Sequence, residues 1–420
     1  MGVFKYSRLD FLLTCVGLVF LLADIVLDIL AVVTFYQEKD YVSLCILILF
    51  LLGSSVLVQA FSWLWYSYED FRRQTKVEKS LSPTQLKLLH VLQLGIYLRH
   101  AGVVEMSVRS FFGFTAYLNA EGLVEGLAVY MSHDLSMLRL METFSESAPQ
   151  LVLMLTIFLR RRELSPVTVL KAVGSASAIA FSVTMYHRSL RTFLPNKAKQ
   201  QIISSAVYFL WNLFLISSRI TALALFASVL PCFIFTHFFC SWIVLFFFAW
   251  RSKTDFMDSP CGEWLYRATV GLIWYFDWFN VVKGRTRYRT LLYHLYILAD
   301  ISLLCSLWCW KMSTEMQLLY AIVFAVIVVL FYIFGLFFKM IYYKCYHPNL
   351  AKEELEANTT DRTQTGQGPT RLNFIIGDET DFAMSSSDVD VSDRSFPRPP
   401  ASNFPHYNKR MRKLAENFYS

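Results

Sequence analysis

The run LDFLLTCVGLVFLLADIVLDILAVVT, residues 9–34, decides the fold class. A helix needs about 20 mainly apolar residues to cross the hydrocarbon core of a bilayer, and this run supplies them in one uninterrupted block. It has no small-residue cleavage site and leads into Gln37-Glu38-Lys39-Asp40, so it is expected to stay in place as a first span and not to be removed as a signal. By the same measure, further spans are expected near 41–66, 134–159, 167–187, 201–228, 231–251, 289–310 and 317–343.

Two other apolar segments are broken by charge. Residues 86–112 contain His90, Arg99, His100, Glu105 and Arg109, and residues 264–282 contain Arg267 and Asp277, with Lys283 just beyond. Lipid accepts such segments only where their polar groups face protein or water, so both are expected as re-entrant or partly buried helices. The fold class is all-α: a polytopic membrane protein with about eight transmembrane helices and two re-entrant or partly buried ones.

Composition agrees. The chain has 420 residues, 55% of them hydrophobic and only 17% charged, which is too oily for an ordinary globular protein. Its net charge of +7 falls in short clusters between apolar runs, so positive-inside topology accounts for it and nucleic-acid binding does not. Lys5 and Arg8, Arg72 to Lys79, Arg188 to Lys199 and Lys283 to Arg289 all fall on the face that holds both termini, which is therefore expected to be cytosolic. Arg160-Arg161-Arg162 disagrees: it lands on the opposite face, so either the 134–187 region is misread or this loop breaks the rule.

The order of spans divides a membrane domain, 1–345, into halves of roughly 1–195 and 196–345, with Phe61-Ser62-Trp63 and Phe248-Ala249-Trp250 at equivalent places. After Tyr346 the aliphatics give way to Ser, Thr, Asp, Gly and Pro. Residues 346–420 read as a cytosolic, largely disordered tail that ends in a basic amphipathic segment, Asn408 to Phe418.

Ionisable residues inside spans carry the functional information, since a charge at mid-bilayer costs about 2.5–3.5 kcal/mol even on a lenient scale. Asp24 and Asp28 lie one helical turn apart on one face, and Glu142 and Glu146 repeat that spacing. Arg219 and Asp300 stand alone in apolar runs, and His187-Arg188 closes another. These groups serve either as structural ion pairs between helices or as a polar stripe across the membrane along which a charged group travels. A calcium site is a weaker third reading, because no glycine-rich ligand loop accompanies the acid pairs.

Other chemistries lack their residues. There is no GxxxxGK[ST] loop for ATP, no HExxH or CxxC metal spacing and no GxSxG nucleophile elbow. No enzymatic activity and no cofactor are expected. The tail contains Asp378-Glu379-Thr380-Asp381, followed by Phe382, a short acidic string of the kind that executioner caspases read at both aspartates.

Several longer strings resemble the XK-related family, and in particular its caspase-activated phospholipid scramblase branch. They are Phe61-Ser62-Trp63-Leu64-Trp65, Leu89 to Gly95, Glu142 to Gln150, Tyr186-His187-Arg188, Val207 to Asn212, Thr254 to Met257, Glu263 to Arg267, and Trp278 to Val281 leading to Gly284-Arg285-Thr286-Arg287. The resemblance implies ATP-independent movement of phospholipids between leaflets of the plasma membrane, exposing phosphatidylserine in apoptosis after a caspase removes part of the tail. It also implies that Asp10, Asp24, Asp28, Glu142, Glu146, Arg188, Arg219 and Asp300 line a headgroup path, and that Asp378 and Asp381 mark the cleavage site. Phospholipids and an executioner caspase are the implied partners, and some relatives pair with a single-span glycoprotein. The residues by themselves leave two alternatives: an ion or solute transporter or channel using the same charges, or a membrane adaptor for a partner protein.

Overall fold

The computed structural model describes residues 7–69, 71, 73–112, 118–161, 166–193, 200–281, 287–312 and 318–346. Every regular element among them is helical: α1 Arg8–Gln37, α2 Tyr41–Tyr68, α3 Lys76–Lys79, α4 Pro83–Val91, α5 Gly95–Phe112, α6 Leu118–Glu142, α7 Ala148–Arg161, α8 Pro166–Phe193, α9 Ile202–Val229, α10 Phe233–Arg251, α11 Pro260–Phe276, α12 Arg287–Met312 and α13 Leu318–Ile341. Two π-helical turns join them, Thr143–Ser147 between α6 and α7, and Tyr342–Tyr346 after α13.

Among the described residues, seven helices are long and apolar enough to cross a bilayer: α1, α2, α8, α9, α10, α12 and α13. The eighth expected crossing, 134–159, falls on α6, its π turn and α7, and Asp134, Arg139, Glu142 and Glu146 set this stretch apart from the purely apolar spans. Its contacts nevertheless run from one face to the other. Near its start, Tyr130 Oη donates to Glu69 just past the end of α2, at 2.5 Å. At its far end, Arg161 lies 2.6 Å from Glu38 in the turn between α1 and α2. The Arg160–Arg161 end is thus on the face of the α1–α2 turn, opposite the end of α1 where Asp10 meets Arg188. Glu38 and Asp40, 2.6 and 3.8 Å from Arg161, supply local compensation.

The 86–112 segment forms a hairpin, α4 and α5, that enters the bundle and turns back. Ser55, midway along α2, donates to Gln93 Oε1 at 2.8 Å, which places the hairpin tip at mid-height. Gln93 adopts φ 64°, the left-handed conformation that closes so tight a turn. Gly95 follows because a Cβ there would stand 2.6 Å from both Gln59 and His90. α11 is the second re-entrant element. It climbs beside α10, where Trp242 donates to the Ala268 carbonyl at 3.0 Å, and the helix ends at the extended Asp277, after which Trp278–Val281 have no regular structure.

Both ends of the described chain gather on one face. Asp10 meets Arg188 at 3.2 Å, and Ser204 at the start of α9 donates to the carbonyl of Tyr346 at 2.9 Å. One apolar core spans both halves of the sequence, with Phe61, Leu138 and Phe144 from the first and Ile216, Trp274 and Ile301 from the second. α9 runs through its centre, 67% of its most apolar stretch being buried, whereas for α1 the share is 11%. α1 is therefore a peripheral helix whose inward face is the only part tied to protein. That arrangement positions the site.

Candidate functional site

On α1, Asp10, Thr14, Gly17, Leu21, Asp24, Asp28, Ala31 and Phe35 recur at alternating intervals of four and three, so they share one face of the helix. Leu21, Ala31 and Phe35 are buried, which identifies this face as the one turned toward the bundle. At 1.5 Å per residue, Asp10 and Asp28 are about 27 Å apart along the axis, close to the thickness of the hydrocarbon core. The helix starts with a reciprocal cap in which the Ser7 hydroxyl accepts from the Asp10 amide, and the Asp10 carboxylate accepts from the Ser7 amide. Asp10 thus has a local role in addition to its ion pair with Arg188.

Arg188, on α8, is tied down on several sides. It donates to Asp10 at 3.2 Å and to the Gln200 carbonyl at 2.8 Å. Higher on α1, Asp24 faces Arg139 at 3.8 Å, and Arg139 also donates to Glu142 at 2.8 Å. Asp28 accepts from the Gln150 amide at 2.8 Å, and Glu146 is turned toward Asp28 and the Ser54 hydroxyl.

The local sequence explains how one helix presents so many polar groups. Pro149 has no amide hydrogen to donate to the preceding turn, and the chain widens into the π turn in which the Ala148 amide reaches back to the Thr143 carbonyl. Hydroxyls take up the slack in the hydrogen bonding. Thr143 donates to the Arg139 carbonyl at 2.7 Å, and Ser145 to the Met141 carbonyl and to Ser54, both at 2.8 Å. The segment Glu142 to Gln150 is therefore a built irregularity, aimed at α1 and α2.

These charges are not sealed in. The side chains of Asp24, Arg139 and Glu142 keep 28%, 15% and 18% of their accessible surface, although Asp24 lies well inside the apolar span α1. Arg219 and Asp300 differ: the pair is 2.5 Å apart with 0% and 11% exposed. Arg219 also donates to the Tyr275 carbonyl at 3.0 Å, and His237 stands 3.1 Å from the other Asp300 oxygen. This pair belongs to α9, α10, α11 and α12. The apolar core, including Phe144 stacked on Phe276 with ring centroids 6.1 Å apart, lies between it and the α1 face.

The structure thus gathers Asp24, Asp28, Glu142 and Glu146 in one cluster and joins Asp10 to Arg188 in a second on the same helix face. It holds Arg219 and Asp300 apart from both. Sequence reasoning missed Arg139, the cation that links Asp24 to Glu142, although its position three residues before Glu142 is the spacing of a helical ion pair. It missed Asp134 too, which faces Arg99 at 3.7 Å. Arg99 donates to the Ser62 hydroxyl and carbonyl at 2.8 and 3.0 Å and lies 4.1 Å above the Tyr66 ring, locking α5 onto α2. Among the described residues no group of three His, Cys, Asp or Glu side chains is placed to hold a metal ion. Asp378, Asp381 and the segment from Asn408 to Phe418 lie outside the described residues.

The family model for XK-related protein matches residues 12–348, nearly the whole membrane domain. The chain belongs to the XK-related family. It is 41% identical to a Tetraodon nigroviridis protein named XK-related protein 8, over 100% of this chain and 98% of that one. It is 38% identical to the Pan troglodytes XK-related protein 8, over 71% of this chain and 74% of the other. To the Tetraodon nigroviridis XK-related protein 9 it is 31% identical, over 84% of this chain and 94% of that one.

The motifs that carry the XK-related resemblance have visible jobs. His90 contacts the Ser62 hydroxyl at 3.0 Å, uniting two of those strings at the hairpin. Glu263 accepts from the Thr254 hydroxyl and from the amides of Phe256 and Met257 at 2.5, 2.9 and 2.7 Å, and Arg267 donates back to Thr254 at 2.9 and 2.8 Å. Those strings are locks that fix the two re-entrant elements.

Proposed function

We propose that this chain is an ATP-independent phospholipid scramblase of the plasma membrane, with both termini cytosolic. It would expose phosphatidylserine in apoptosis once an executioner caspase cuts after Asp381. The observation that carries this reading is the α1 face. Asp10 with Arg188, and Asp24 and Asp28 with Arg139, Glu142 and Glu146, extend over a distance close to that of the hydrocarbon core, and Asp24, Arg139 and Glu142 remain partly accessible. A zwitterionic or anionic headgroup could exchange its charges with these partners one after another while its acyl tails stay in lipid. Carboxylates receive the amine or choline group, and Arg139 and Arg188 receive the phosphate.

Nothing in such a path consumes energy, so lipid moves down its gradient. The separate Arg219–Asp300 pair is assigned a scaffold role, because a fully buried cation cannot exchange partners with a passing headgroup. The family's membership and its relatives named XK-related protein 8 support the reading at the level of the family.

The test is purified full-length protein in liposomes containing a fluorescent phospholipid, with and without caspase treatment. Scrambling that appears after cleavage, without ion current, is the expected result, and Asp381→Ala should abolish the response. Current or solute uptake without lipid movement would establish the transporter reading. Neither activity would leave the adaptor reading.

A further inference from the structure

We propose a second, non-transporting lipid site: a groove at the base of α10 and α11 that holds the headgroup of an anionic phospholipid carrying a phosphomonoester. The groove has a volume of about 740 Å³ and is lined by Phe247, Trp250, Arg251, Lys253 and Arg267. It lies at the end of α10 from which Arg251 and Lys253 project, the face of the bundle to which positive-inside topology assigns the cytosolic leaflet.

Its chemistry is divided in two. One wall is aromatic and open to lipid: Phe247 and Trp250 are 55% and 48% exposed. Trp264 of α11 stacks beside Trp250, with centroids 6.2 Å apart. Tryptophan at this depth sits at the headgroup boundary. The other wall is cationic. Arg251 and Lys253 are exposed, and their side chains have no hydrogen bond or ion pair among the described residues.

Arg267 is the preorganised member. Its Nε and Nη2 donate to the hydroxyl and carbonyl of Thr254 at 2.9 and 2.8 Å, which leaves Nη1 without a protein partner among the described residues. Glu263 approaches Arg267 at 3.5 Å, yet its own oxygens are engaged by Thr254, Phe256 and Met257. Asp255 and Asp258 occupy the same loop but do not line the groove.

Lys253 adds an independent observation. It ends α10 at φ 51°, a left-handed position where glycine is the unstrained choice. The residue there is the loop's one lysine, and it lines the groove beside Arg251 and Arg267. Three positive groups exceed what a single phosphodiester needs, and a phosphomonoester, with a charge of about −1.5 to −2, supplies the difference. Basic pockets beside membrane helices on this leaflet hold such headgroups. α10 and α11 pack on each other and on α9, and α11 also meets the π turn Thr143–Ser147, where Phe276, at the end of α11 away from Arg267, stacks on Phe144. The groove itself is lined by no residue of the α1 face.

The experiment titrates detergent-solubilised full-length protein with dioctanoyl phosphatidylinositol 4-phosphate, read by native mass spectrometry, with dioctanoyl phosphatidylinositol and free inositol 1,4-bisphosphate as separate arms. The expected result is tight retention of the phosphomonoester lipid, weak retention of the diester lipid, and poor binding of the free headgroup, which lacks the chains that lie on Phe247 and Trp250. The double variant Arg251→Gln/Lys253→Gln, which breaks no side-chain hydrogen bond, should weaken retention about 25-fold, taking roughly fivefold for each cation. Arg267→Gln should weaken it as well. If Arg267→Gln fails to fold, the double variant decides alone. Equal binding of both lipids, unchanged retention in the double variant, or a copurifying protein that crosslinks at Trp250 in place of lipid would overturn the proposal.

Discussion

Arg219 and Asp300 meet at 2.5 Å in the middle of the second half, with the guanidinium fully buried and His237 on the far side of the carboxylate. Breaking a buried pair from one side leaves the other charge uncompensated, at about 3–5 kcal/mol, whereas replacing both partners by apolar groups is often neutral. Arg219→Leu should therefore sharply lower the melting temperature of detergent-solubilised protein, and Arg219→Leu/Asp300→Leu should recover most of the loss. A folded double variant that still moves lipid at the normal rate identifies the pair as scaffold. If that variant folds but moves no lipid, the pair belongs to the path.

Arg139 has the opposite expectation. It is partly accessible and stands between Asp24 and Glu142, so its removal leaves carboxylates facing one another along the path with no cation to receive a phosphate. Arg139→Gln should slow lipid transport in liposomes at least about tenfold, corresponding to roughly 1.4 kcal/mol. Arg139→Lys should restore part of it, since the charge returns without the forked geometry. Equal rates in all three proteins would remove Arg139 from the path.

The sequence shows the architecture more plainly than the contacts. Apolar length is a local property, so α1, α2, α8, α9, α10, α12 and α13 could be read directly, and charges such as Arg99 and Arg267 marked the two re-entrant segments. Which charge meets which is set by helix packing over long sequence separations. Asp10 and Arg188 are 178 residues apart, and Arg219 and Asp300 are 81 apart. No spacing rule reaches that far, so the residues alone left structural ion pairs and a polar stripe both open, and the fold gathers the α1 charges while setting Arg219 with Asp300 elsewhere. The π turn was hidden as well. Only Pro149 after a run of hydroxyl residues hinted at it.

Between the two clusters on α1 lies a stretch of about 21 Å, from Asp10 to Asp24, with Thr14 and Gly17 on the same face. A Cβ at Gly17 would have no atom within 4 Å, so the helix there opens onto space and not onto a packed neighbour. A larger side chain should fit without strain and fill that space. Gly17→Leu is expected to leave the melting temperature unchanged or slightly raised, because glycine is about 1 kcal/mol worse than alanine in a helix. It should nevertheless cut scrambling severalfold. Unchanged scrambling in a stably folded Gly17→Leu protein would show that headgroups travel elsewhere.

The last expectation concerns orientation. Arg161 lies 2.6 Å from Glu38, while Asp10 at the other end of α1 meets Arg188. Lys39 and Arg161 must then be reached from one side of the membrane, and Ser7 and Ser205 from the other. Single cysteines at these positions, in a background with the eight native cysteines replaced, should divide in two when intact cells are treated with a membrane-impermeant thiol reagent. Lys39→Cys and Arg161→Cys should label, whereas Ser7→Cys and Ser205→Cys should label only after permeabilisation. The Arg161 pair itself is more than one-third exposed on each side, so its contribution to stability is at most about 1 kcal/mol. Arg161→Gln should accordingly change the melting temperature little. Its weight would show in insertion: with Glu38→Gln and Asp40→Asn, Arg161 loses its acidic neighbours on the side where positive charge is disfavoured. A rise in misoriented protein in that double variant, measured by the same labelling, is the expected outcome, and unchanged orientation would mean that the other basic clusters hold the topology alone.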